Sequence, residues 1–101
     1  TALELMRRGG QGNVSVTANI AAKDMAAMCH RALNQDWEAA AEIDARLSEQ
    51  NDLLFVEANP LPAKRAMAQR GMIGEGIRLP LTPLSEPCRD KVGQALEMYF
   101  A

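Results

Sequence analysis

The chain has 101 residues, 48% of them hydrophobic and 24% charged, with a formal net charge of −2. Acids and bases are interspersed, which argues against a nucleic-acid surface or a polybasic membrane anchor. No apolar run approaches the ~20 residues needed to span a bilayer, so the composition is that of one ordinary soluble domain at most.

Residues 2–8 read as the last turns of a helix. Leu3 and Met6 share a face, Arg7 and Arg8 suit the negative end of the dipole, and Gly9 suits a left-handed cap. After the glycine turn, Asn13 to Thr17 reads as a short strand, with Val14 and Val16 on one face and Ser15 and Thr17 on the other. A helix of about residues 21–34 follows, carrying Met25, Met28, Cys29, Ala32 and Leu33 at helical spacing. Asp36 is an N-cap for a longer helix running to about Phe55, with Leu53-Leu54-Phe55-Val56 as its buried end. Asn59 caps the next helix, with prolines 60 and 62 in its first turn, and Gly71 ends it. Residues 74–83 form an extended linker too rich in proline for a central strand. Ser85 then caps a last helix that presents Cys88, Val92, Ala95, Leu96 and Tyr99 on one face.

Five helices and one strand make an incomplete α/β unit. A strand has backbone donors and acceptors on both edges, and each needs a neighbour. The chain is therefore expected to be the C-terminal piece of a larger α/β enzyme. The opening residues are amphipathic rather than basic and then apolar, so no secretory signal is expected. Cys29 and Cys88 are read as free thiols, in keeping with a cytoplasmic location.

Candidate chemistry is sparse. Gly9-Gly10-Gln11-Gly12 precedes a strand, whereas phosphate loops follow a strand and open a helix, so it is read as a turn. His30, the only histidine, adjoins Cys29, but adjacent helical residues diverge by about 100° and form neither a dyad nor a metal pair. No metal site is expected. Lys23 and Lys91 stand beside Asp24 and Asp90 and read as solvated, and Lys64 sits in the first turn of its helix. Glu57 is placed to hydrogen-bond backbone groups at a helix junction, but the sequence names no partner for a general base. In parallel α/β barrels ligands bind at the C-terminal ends of strands, which here means Val14 to Asn19. The valines would wall such a pocket, and Thr17 and Asn19 would fix the loop.

Three segments, Gly10-Gln11-Gly12-Asn13-Val14-Ser15-Val16-Thr17-Ala18-Asn19, Leu54-Phe55-Val56-Glu57-Ala58-Asn59-Pro60-Leu61-Pro62-Ala63-Lys64 and Arg78-Leu79-Pro80-Leu81-Thr82-Pro83-Leu84, resemble the dihydrodipicolinate synthase family, also called 4-hydroxy-tetrahydrodipicolinate synthase. They occur in the family's order and spacing. The resemblance implies an α/β fold: the C-terminal part of a TIM (β/α)8 barrel, with its last strand and helix, plus a C-terminal helical domain. Residues 1–35 would hold part of helix seven, strand eight and helix eight, and residues 36–101 the helical domain. It further implies a Schiff-base lyase of lysine biosynthesis that condenses pyruvate with aspartate 4-semialdehyde. A barrel lysine forms the imine and a tyrosine relays protons, both upstream of this chain.

The partners implied are these two small molecules, the N-terminal part of the barrel and further copies in a homotetramer. No nucleic acid, membrane or cofactor is implied. One substrate-binding position carries over, the pyruvate-contacting aliphatic residue of strand eight, which falls on Val14. No catalytic residue falls in the chain, so the chain alone is expected to be inactive. Ala63-Lys64-Arg65 departs from the Val-Lys-Trp usual in the family. Two other readings remain: an autonomous non-catalytic helical interaction module, and a sister pyruvate-dependent aldolase of the same superfamily.

Overall fold

The computed structural model describes residues 2–101. Five helices follow one another: α1 (Ala2–Arg7), α2 (Ala18–Leu33), α3 (Trp37–Leu53), α4 (Leu61–Gln69) and α5 (Glu86–Tyr99). They form two compact units, residues 1–48 and 49–101, and α3 has residues in each.

In the first unit α1 packs on α2. Leu3 and Met6 of α1 are buried, as are Met25, Met28 and Ala32 of α2. The run of alanine and methionine suits this contact: small side chains let helices approach, and flexible thioethers fill the remaining gaps. Gly9 ends α1 at φ 103°, and the Gly10 amide donates to the Leu5 carbonyl at 2.9 Å. A Cβ on Gly10 would stand 2.9 Å from that carbonyl oxygen, so the turn needs glycine there as well. Asp36 caps α3 as expected. Its Oδ1 accepts from the Ala39 amide at 3.3 Å, and its Oδ2 accepts from Arg31 at 3.2 Å.

In the second unit α4 packs on α5. Leu54, Leu61, Ala66, Leu84, Val92 and Leu96 are buried there. Gln50 is buried too, and its Nε2 donates to the Ala95 carbonyl at 3.2 Å. Gly71 closes α4 at φ 72°, with the Met72 amide bonded to the Met67 carbonyl at 2.9 Å.

Four expectations need correction. Residues 13–17 form no strand: 13–15 have no regular structure and no pairing partner among the described residues, and Thr17 already has helical angles, φ −61° and ψ −29°, at the entry to α2. The segment of the expected α/β unit is therefore all helix and loop. α2 starts at Ala18 rather than near residue 21. A first turn is added, held by amides 19, 20 and 21 bonding to the carbonyls of Val16 and Thr17, and Ala21 departs from helical angles at φ −126°, ψ 45°. The end of α3 is not a buried apolar run: the helix stops at Leu53, Leu54 alone is buried, and Phe55 and Val56 are exposed. Finally, Pro60 rather than Asn59 occupies the N-cap position of α4, where no side chain caps the helix.

Candidate functional site

The loop that leads into α2 is held from within. Thr17 is buried and sits at the N-cap position of α2. The Ser15 hydroxyl accepts from the Ala18 amide at 3.3 Å, and Asn19 Nδ2 donates to the Val16 carbonyl at 3.0 Å. Asn13 Nδ2 contacts the Met25 sulfur at 3.2 Å, which ties the start of the segment to the buried face of α2. Short polar side chains bonding to nearby backbone make this loop definite without a sheet. Val14, by contrast, is fully exposed and Val16 is half-buried, so the two valines do not share one buried wall.

The remaining candidates are scattered. Lys23, Lys91 and His30 are exposed and Lys64 is half-buried, so none of the lysines lies in the buried apolar setting that a Schiff-base lysine needs. Cys29 and Cys88 are both free and half-buried, and burial pushes the Cys29 thiol above its ordinary value. Among the described residues no group of acids, histidines and cysteines is arranged to hold a metal ion. Among the described residues no helix is long and apolar enough to cross a membrane.

Glu57 acquires the partners that its local sequence does not reveal. Its carboxylate accepts from the Ser85 hydroxyl, and from the Ser85 amide at 3.4 Å. The Ser85 hydrogen bond foremost, and that of Cys88 next, hold the Glu57 carboxyl below its ordinary value, against a smaller opposing effect of burial. A carboxylate stabilised in this way is a weak base. Its evident work is to anchor the N-terminus of α5, where negative charge is favoured. Ser85 stands at the N-cap of α5 but makes no side-chain bond to that helix. Nothing local in either segment announces a pair 28 residues apart.

A second feature escaped the sequence. A cavity of about 150 Å³ opens between α4, the loop after it and the start of α5, with Lys64, Arg65 and Arg89 among its walls. The i, i+3, i+4 spacing of Leu61, Lys64 and Arg65 places all three on one side of α4. The contribution of Arg89 depends on tertiary packing.

Residues 1–99 match the Dihydrodipicolinate synthetase family. The 4-hydroxy-tetrahydrodipicolinate synthase of Pseudomonas putida (strain W619) is 50% identical over 96 residues, covering 95% of this chain and 33% of that protein. The enzyme of the same name from Marinobacter nauticus is 50% identical over 97 residues, covering 96% of this chain and 33% of its own. Among solved structures, a chloride-inhibited dihydrodipicolinate synthase from Acinetobacter baumannii, complexed with pyruvate, superposes with a TM-score of 0.93 at 43% identity. That likeness covers 97% of this chain and 34% of the other. A dihydrodipicolinate synthase from Thermotoga maritima gives 0.95 at 33% identity, over 98% and 34% of the two chains. The helices thus reproduce about a third of an enzyme fold. The chain belongs to the dihydrodipicolinate synthetase family, and it spans about a third of the length of the curated relatives it matches.

Proposed function

We propose that this chain forms the C-terminal part of a 4-hydroxy-tetrahydrodipicolinate synthase, a lyase that condenses pyruvate with aspartate 4-semialdehyde in lysine biosynthesis. The observation that carries the reading is the likeness to the pyruvate-complexed enzyme, at 43% identity and a TM-score of 0.93 over nearly the whole chain. In the complete polypeptide, residues 1–35 close a (β/α)8 barrel and residues 36–101 form the appended helical domain. The segment 13–17 supplies the eighth strand once strands from the rest of the barrel pair with its edges.

The reaction needs a lysine that this chain does not supply. Its amine adds to the keto carbon of pyruvate and water leaves, giving an imine. Loss of a methyl proton yields an enamine, whose carbon attacks the aldehyde of the second substrate. The contribution of this chain is a wall. Val14 lies against the pyruvate methyl group and keeps water from that side of the enamine. Its full exposure in the chain supports the reading, because the side chain is committed to no contact here. The complete enzyme works without a cofactor, in the cytoplasm, as a homotetramer.

The test is turnover by the full-length polypeptide that contains this chain. With pyruvate and aspartate 4-semialdehyde it yields the cyclic condensation product. A full-length polypeptide that uses pyruvate with a different aldehyde, and not with this one, would overturn the assignment in favour of a sister aldolase.

A further inference from the structure

The cavity on α4 has more positive than negative side chains in its own lining, although Arg65 and Arg89 also border a groove with Glu86, Asp90 and Glu97. Lys64, Arg65 and Arg89 line it, together with a single carboxylate, Glu75. Arg65 spends one amine on Glu75 at 2.5 Å, yet its Nε is shut off from solvent with no acceptor. Arg89 gives its Nε to the Leu84 carbonyl at 2.6 Å, and the described residues place no carboxylate in an ion pair with it or with Lys64. Buried or half-buried donors without acceptors are costly, and cations held close together repel one another. Both costs fall if an acceptor-rich, negatively charged guest occupies the space.

The other walls define the rest of the guest. Leu61 and Leu84 are buried and Ile77 is half-buried, and the cavity, open on one side, has a volume of about 150 Å³. A strongly hydrated ion such as phosphate would leave these apolar walls unused. A short branched-chain carboxylate satisfies both sides, with its oxygens toward Lys64 and Arg89 and its carbon body against the leucines and Ile77.

The geometry points to a binding site for a small apolar-bodied carboxylate in the α4–α5 cavity, formed by Lys64, Arg65 and Arg89. Val14 is not among the residues that line the site, and the proposal does not depend on the proposed activity, because its test reads binding rather than turnover. The experiment is calorimetric titration of the full-length polypeptide with isobutyrate at constant ionic strength. Isobutyramide and inorganic phosphate are titrated as comparisons. Saturable binding of isobutyrate, weaker or absent for the other two, is expected. Lys64→Met keeps the aliphatic stem, removes the charge and weakens binding about tenfold, the size of one charge-assisted hydrogen bond. Glu75→Gln removes the competing carboxylate and tightens binding, which provides an independent test if the lysine variant misfolds. Absence of isobutyrate binding, equal binding of the amide, tighter binding of phosphate, or binding unchanged in the variants would overturn the assignment.

Discussion

Glu57 grips the start of α5 through Ser85, taking hydrogen bonds from both its hydroxyl and its amide. The contact joins the loop after α3 to the last helix across 28 residues. It has a definite pH signature. The folded carboxyl is held below its ordinary value, so its contribution to stability is present above the unfolded value, ~4.3, and is lost as pH falls through the folded value. Glu57→Gln should lower the thermal midpoint near neutral pH, and the difference from the parent should shrink in acid. Melting curves across the acid range check both the sign and the window.

Leu54 and Phe55 are sequence neighbours with opposite environments, 1% and 59% exposed. Leu54→Ala opens a cavity in the second unit and should cost about 2–5 kcal/mol. Phe55→Ala in the same 101-residue chain should change stability by about 0.5 kcal/mol or less. Denaturant titration of both variants separates them.

Gln50 is 2% exposed and bonds to the Ala95 carbonyl. Gln50→Leu keeps the bulk but leaves that carbonyl without its side-chain donor, so a loss of about 1–3 kcal/mol is expected. Equilibrium unfolding measures it, and hydrogen exchange should localise the loosening to α5.

Gly71→Ala should cost about 1–2 kcal/mol, although a Cβ there meets nothing within 4 Å. The penalty comes from φ 72° alone. A matched Gly74→Ala substitution, at a position with equally open space and no positive φ, should cost less. Unfolding midpoints of the two variants compare them directly.

The helices were legible because their signals are local. Asp36 before Trp37, Pro62 just after the start of α4, Gly71 after Gln69 and Pro87 in the first turn of α5 each act within one turn. The alternation of Val14 and Val16 suggests a strand, but a strand is a property of pairs, no partner segment lies among the described residues, and Thr17 is already helical. Local chemistry favours Asn59 as the cap, yet Pro60 holds that position and no side chain caps α4, a shift that nothing local in the sequence announces. The polar features were the least legible. Glu57 meets Ser85, and Lys64 and Arg89 line one cavity, only through tertiary packing, because each pair is separated by a loop that no local repeat bridges. Val14 as a proposed substrate contact rests on the family likeness, because periodicity alone does not single it out.

The proposed role of Val14 has a kinetic test in the full-length polypeptide. Val14→Ala should raise the KM for pyruvate and lower kcat/KM by about tenfold, the scale for removing apolar contact beside a substrate. The KM for the aldehyde should change less. Steady-state kinetics with each substrate varied in turn distinguishes this from a general loss of folded enzyme, which would lower kcat alone.

The most direct measurement is imine trapping. Pyruvate and borohydride are added to the 101-residue chain and to the full-length polypeptide, and the adducts are located by peptide mass spectrometry. The proposed reading predicts a stoichiometric pyruvyl adduct in the full-length polypeptide, on a lysine outside this chain, and none in the 101-residue chain. A stoichiometric adduct on Lys23, Lys64 or Lys91 would contradict it, because the catalytic amine would then lie within these helices.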